Sequence, residues 1–347
     1  MASVQTLSVP NKREYRVNEK ISRTKYWLRL LLLIAIYILT FYFIEWTEDR
    51  YNYEQLLTNI DNYNTDIFFT WIARMADKRN WSYEEVYHFH IILQAVFFGL
   101  FSVKEFKKPF LPCVIAILLN FVNIANQLRY FAGFWAFLYG MTFYNKRKLV
   151  YFLLGVFACL NHITLIVLFL CLPLRKLLLK INARRYIIIA LTVFIVTPML
   201  IFILPGFLET FSKYVEQEDQ SSFLGGVFNL FPTFFFVILF YLRRARYGKY
   251  EASGDRLVEI LCIFSFVFIP ISVIFQLFSQ RFVFTFISVW IAYLIDKEEN
   301  KTKILYVTLL SVFTILWFYL APLYFLGYSY YFDNVLVMIG IKPFLSI

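Results

Sequence analysis

Long apolar runs separated by short polar or basic patches extend from Trp27 to the C-terminus. On the ~20-residue criterion for a membrane-crossing helix, the pattern predicts about eleven spans, several of them short. They fall at roughly 27–44, 88–103, 110–126, 130–144, 149–161, 163–174, 186–204, 226–242, 257–277, 282–295 and 304–320. The runs are continuous rather than alternating, which points to helices and away from a β-barrel. Asp66–Met75 is too short to cross and predicts an interfacial or re-entrant segment. Tyr328–Ile347 predicts a partial span or an interfacial helix. The expected fold is therefore an all-α polytopic membrane protein, with a basic tail over 1–26 and one transmembrane domain over 27–347.

Charge orients the spans. Basic residues gather in alternate loops: the N-terminal tail, Lys104–Lys108, Lys146–Lys148, Arg175–Arg185, Arg243–Arg256 and Lys297–Lys303. By the positive-inside rule these loops and the N-terminus are cytoplasmic. The opposite loops are acidic or nearly uncharged. The first and fourth of them, over 45–87 and 205–225, are enlarged.

Composition narrows the class further. The 347 residues are 60% hydrophobic and 16% charged, with net charge +11. Soluble domains average about 25% charged residues. The basic excess lies in loops between apolar runs and forms no basic face interleaved with stacking aromatics, so nucleic acid is not an expected partner. Aromatic residues, including 42 Phe and 25 Tyr, suit lipid contact and interfacial belts. Cys113, Cys159, Cys171 and Cys262 all sit in apolar runs, without metal spacing or a disulfide framework. The first run is long enough to span and lacks a small-residue cleavage site, which predicts a retained signal anchor.

Three ionisable residues stand where two apolar runs meet almost without a loop: Arg129, His162 and Arg281. All three fall on the extracytoplasmic side of the predicted topology. Ionisable groups at such places are costly in lipid and mark function. The alternative for each arginine is a side chain snorkelling to the surface; for His162 it is a hydrogen-bonded structural group. Asn120, Asn123 and Gln127 have helical spacing, so they predict one polar face leading to Asn126, Gln127 and Arg129. Gln276, Ser279 and Gln280 precede Arg281. Two guanidiniums at one level suit a diphosphate through bidentate hydrogen bonds. Asp49 and Glu54 lie in a dense acidic cluster of the first outer loop, where a carboxylate acts as general base or is simply solvated. His88 and His90 are two apart and point away from each other on a helix, so no metal site is expected.

Asn126-Gln127-Leu128-Arg129-Tyr130, the basic loop Asn145–Lys148 and Asn161-His162-Ile163-Thr164 together resemble the EpsG family. Asp49 and Tyr53 match an early Asp and Tyr of that family. Lys213-Tyr214, Gly225-Gly226 and Arg281-Phe282 look similar to later family features. Relatives carry Arg followed by Gln, whereas Tyr130 follows Arg129 here. They also carry a Glu-Pro pair where Thr65-Asp66-Ile67 stands, so Asp66 is not carried over as a functional residue.

The resemblance implies an exopolysaccharide or O-antigen-type polymerase, related to Wzy polymerases, in the bacterial inner membrane. Its substrate would be an undecaprenyl-diphosphate-linked glycan, and its partners membrane lipids, a chain-length regulator and a flippase. No cofactor is implied. Arg129, Arg281, His162 and Asp49 would be catalytic, with Tyr53, Glu54, Asn126, Gln127, Asn161 and Gln280 binding substrate. Two other readings stand beside it. One is a polyprenyl-phosphate-sugar-dependent glycosyltransferase using first-loop carboxylates. The other is a lipid-linked glycan transporter, which would be expected to show matching repeats.

Overall fold

A computed structural model describes residues 23–58 except 45, 46 and 48, residues 66–171 except 145, residues 285–297, and positions 188, 192 and 195. The spans expected over 226–242, 257–277 and 304–320, and nearly all of 186–204, lie outside the described residues, so the expected count of eleven applies to a longer stretch than the structure describes. Among the described residues there are ten helices and no strand.

α1 (Arg23–Phe41) and α4 (Tyr83–Glu105) are long and apolar enough to cross a membrane. α1 leaves Trp27, Leu28, Leu31, Leu32 and Leu39 exposed. An apolar stripe of that length would be a liability in water and is ordinary against lipid. α7 (Leu128–Met141) is buried along nearly its whole length, and α8 (Lys148–Asn161) packs beside it. α9 (Leu165–Cys171) follows α8 after a short reversal.

Contacts along the helices set their directions. Tyr37 of α1 meets Gln94 and Phe98 of α4, and Arg29 reaches Lys107 just beyond α4, so α1 and α4 run antiparallel. Gln94 bonds to Leu128, Phe98 packs on Trp135 and Lys104 lies over Phe143, so α4 and α7 run parallel. α8 then returns against α7, as Tyr144 packs on Tyr151 at one end and Gly133 meets Ala158 near the other.

A polar chain ties α1, α4 and α7 inside this apolar packing. Trp135 Nε1 donates to Tyr37 Oη at 3.1 Å, and Tyr37 Oη donates to Gln94 Oε1 at 2.6 Å. Gln94 Nε2 donates to the Leu128 carbonyl at 3.0 Å. Each of these polar groups is therefore partnered where water is absent, the condition for burying polar atoms cheaply.

The run expected as one span over 110–126 is two helices, α5 (Phe110–Leu119) and α6 (Phe121–Asn126). Asn120 sits between them, outside helical geometry, and its side-chain amide donates to Ser288 Oγ of α10 (Thr285–Lys297). A second break at Gln127 separates α6 from α7. Asn120 and Gln127 thus mark breaks rather than one continuous polar face. Short amide side chains compete with the backbone for its hydrogen bonds, which favours such interruptions.

The segment expected as interfacial or re-entrant over Asp66–Met75 is the start of α3 (Ile67–Arg79). Its buried face, with Phe69, Ile72, Ala73 and Ala76, packs toward α4 and α8. α3 ends at Asn80, whose φ of 52° is the left-handed conformation that Asn tolerates at a helix C-terminus. Ser82 and Glu85 then form a reciprocal capping box that starts α4. α2 (Arg50–Thr58) lies at this same end.

The α7–α8 contact depends on Gly133. A Cβ there would stand 2.7 Å from the Ala158 carbonyl oxygen and 2.5 Å from a Leu165 methyl. The carbonyl belongs to helix backbone and cannot swing aside. Gly133→Ala is therefore expected to destabilise the fold by about 1–3 kcal/mol, read as a lowered melting temperature of the purified protein in detergent. An unchanged melting temperature would mean that α7 and α8 do not approach this closely.

Candidate functional site

The sequence-predicted residues that the structure describes gather at the end of the bundle where α1 finishes and α4 and α7 begin. Gln127 alone separates α6 from α7, and its carbonyl accepts the Phe131 N–H at 3.0 Å, which starts α7. Arg129 is thereby fixed in the first turn of α7. At the far end of α8, His162 adopts extended geometry while its N–H still bonds to Ala158. The chain reverses through Ile163 and Thr164, and the Leu165 N–H returns to the His162 carbonyl at 3.0 Å.

Asp66 connects these two junctions. Arg129 Nη1 donates to its Oδ2 at 2.7 Å, and the Ile163 N–H donates to its Oδ1 at 3.1 Å. The pair is largely enclosed, with side-chain exposures of 16% for Arg129 and 5% for Asp66. Aromatic faces complete the cage: the guanidinium carbon lies 5.1 Å from the Tyr53 ring centroid and 5.0 Å from that of Phe69. Both rings attract the cation through their quadrupoles. Arg129 Nε also donates to Tyr53 Oη at 3.4 Å. Burial pushes the Tyr53 phenol above its ordinary range, while the nearby guanidinium pulls it back toward ionisation.

His162 stands edge-on to Tyr130, with centroids 5.6 Å apart. Its Nδ1 lies 2.8 Å from the Thr164 hydroxyl and accepts the Thr164 N–H at 3.4 Å. In the tautomer with its proton on Nε2, Nδ1 accepts from both the hydroxyl and the N–H of Thr164.

Tyr53, Asn126, Gln127 and Asn161 are buried at the same end. Asn161 uses its amide N–H on the Phe157 carbonyl at 2.8 Å. The side-chain carbonyl oxygens of Gln127 and Asn161 are buried without a hydrogen-bond partner among the described residues. Glu54 accepts from Arg50 at 2.8 Å, and Arg50 bonds also to Glu84 at 2.6 Å, so Glu54 is tied into a rim network. Asp49 is half-buried beside this network, and its carbonyl accepts the Tyr53 N–H. Arg281 and Gln280 lie outside the described residues.

His88 and His90 point apart, as their spacing predicts. His88 stacks on Tyr42 at 3.8 Å, and His90 Nδ1 bonds to the Val86 carbonyl. Two contributors escape a reading of the sequence: Asp66 and the aromatic wall of Phe69. The departure from the family's Glu-Pro pattern counted against Asp66, yet it is the residue to which both junctions bond. Its one advance signal was an acidic residue directly before an apolar helix.

The comparison with protein families finds a match over residues 25–333, to the model described as the EpsG family. No curated protein and no solved structure matches the chain.

Removing one member of an enclosed ion pair strands the other charge, at a cost of about 3–5 kcal/mol. Asp66→Ala and Arg129→Met should each lower thermal stability in detergent strongly. The double substitution should recover much of the loss, because no charge is then left unpaired. Additive losses in the double variant would show that the two side chains do not act as a pair.

Proposed function

The chain belongs to the EpsG family, and from that premise we propose that it polymerises lipid-linked glycan repeat units. It is a membrane protein, and its setting in this reading is the bacterial inner membrane, crossed many times. The donor is a growing glycan on undecaprenyl diphosphate, presented outside the cytoplasm. The acceptor is a single lipid-linked repeat unit. An acceptor hydroxyl attacks the anomeric carbon of the donor's reducing-end sugar, the bond to the diphosphate breaks, and the lipid diphosphate leaves with the electron pair.

The observation that carries this reading is the convergence of the Arg129 and His162 junctions on one enclosed carboxylate. Negative charge grows on the leaving diphosphate in the transition state. A guanidinium held between two aromatic faces, where water is scarce, stabilises that charge without having to reorganise. Arg281, four residues before α10, is the second cation that a diphosphate calls for. In the tautomer with its proton on Nε2, His162 suits hydrogen bonding to a phosphate or sugar oxygen. The acceptor proton then goes to a rim carboxylate, Asp49 or Glu54. Tyr53 positions Arg129, and the buried carbonyl oxygens of Gln127 and Asn161 suit sugar hydroxyls.

The test uses the purified full chain with a defined undecaprenyl-diphosphate oligosaccharide, products being resolved by size. A ladder spaced by one repeat unit is expected. Arg129→Lys keeps the charge beside Asp66 but loses the planar fork, so it should fold normally while turnover falls by about a hundredfold or more. A normal ladder from Arg129→Lys would remove Arg129 from the chemistry. Transfer of one sugar without a ladder would point instead to a polyprenyl-phosphate-sugar-dependent transferase.

A further inference from the structure

The end of the bundle opposite Arg129 carries a different arrangement. Phe143, at the turn between α7 and α8, accepts the N–H groups of Lys146 and Arg147 on its carbonyl at 2.9 and 2.8 Å. Its ring receives the Lys104 ammonium of α4, 2.8 Å from the centroid, and the Tyr139 ring lies 5.4 Å from the same nitrogen. The ring holds the Lys104 ammonium, while backbone hydrogen bonds place Lys146 and Arg147 on the same turn, with exposed side chains that act on Lys104 electrostatically. None of the three forms an ion pair among the described residues. Asp296 is occupied by the Lys107 and Lys108 N–H groups, at 3.0 and 2.8 Å. Glu105, beside Lys104, acts on it electrostatically. Arg29 extends the patch to α1 through its bond to the Lys107 carbonyl.

Like charges brought together in this way repel unless an anion lies between them. The surroundings favour the head of a lipid over a free ion. Tyr26 and the exposed Trp27 stack edge-on at the start of α1, the aromatic signature of headgroup depth. From Lys148, α8 continues into the exposed apolar residues Leu149, Phe152 and Leu153. Charge followed by an apolar strip along one helix matches a phospholipid, head first and then acyl chain. Basic pockets between membrane helices bind anionic headgroups in this way.

We infer that Lys104, Lys146 and Arg147, gathered around Phe143, form a binding site for the phosphate of an anionic phospholipid whose chains lie along the start of α8. The site is separate from the Arg129 cluster and does not rest on the polymerase reading.

The test titrates the purified full chain in detergent with phosphatidylglycerol, phosphatidylcholine or inorganic phosphate and counts retained lipid by native mass spectrometry. The parent chain should retain phosphatidylglycerol well above phosphatidylcholine. Neutralising the cluster with Lys104→Gln, Lys146→Gln and Arg147→Gln together should weaken phosphatidylglycerol retention on the order of a hundredfold, leaving phosphatidylcholine unchanged. Phe143→Leu keeps every charge, and with them the signals that set membrane topology, and should weaken it several-fold. Equal retention of the two lipids by the parent chain overturns the site, as does phosphatidylglycerol retention that neither variant alters. Inorganic phosphate that displaces phosphatidylglycerol at equal concentration would make the ligand a free anion and overturn the lipid assignment.

Discussion

The helix junctions at one end of this bundle are organised around the carboxylate of Asp66. It stands at the N-cap of α3, where an aspartate ordinarily turns back to bond its own helix. Here the side chain makes no such bond. It accepts instead from Arg129 and from the Ile163 N–H, residues far away in the sequence. The need for it follows from the position of Arg129. A cation in the first turn of α7 faces the positive end of that helix's dipole. Held largely out of water, it requires a counter-charge, and one carboxylate supplies it while fixing the reversal after α8. Three junctions thereby share one anchor.

The rest of the bundle separates two kinds of polar chemistry with an apolar middle. At one end, Arg129, Arg50 and their carboxylates pair closely within a cage of aromatic rings. At the other, lysines and arginines outnumber carboxylates, and Lys104 leans on rings rather than on acids. Between them, the Trp135–Tyr37–Gln94–Leu128 chain is the main polar link among α1, α4 and α7, and it is satisfied from end to end. Such a closed chain holds helix register where apolar surfaces alone leave sliding cheap, because lipid offers helices little hydrophobic reason to associate.

Periodicity and charge reveal the helical class, the positions of α1, α4, α7 and α8, and the grouping of the basic loops after α4 and α7. They also reveal that Arg129 and His162 stand at helix ends, because an apolar run interrupted by a few polar residues has few other structures open to it. Two features were not legible for physical reasons. The helix break at Asn120 depends on a partner, Ser288, on a helix remote in sequence. The role of Asp66 depends on a guanidinium 63 positions away. Spacing rules describe neighbours on one element, so they are silent about pairs that tertiary packing creates. The match to a family pattern pointed to Tyr53 for the same reason that it passed over Asp66: a pattern weighs the residues that relatives share and not the contacts each chain makes.

The pairing of Arg129 constrains any chemistry at this end. A guanidinium beside a carboxylate has little net charge to offer, but its orientation is fixed before a substrate arrives. A diphosphate carries more negative charge than one such cation balances. For the proposed reaction the site needs further donors, and an N–H of His162 with a second arginine are groups of the right kind. The rim carboxylates lie close by: Glu54 is bound to Arg50, and Asp49 stands one helical turn before Tyr53, whose phenol touches Arg129. In the proposed reaction, charge stabilisation in the enclosed cage and proton acceptance at the wetter rim would be divided between two layers, each in the dielectric that suits it.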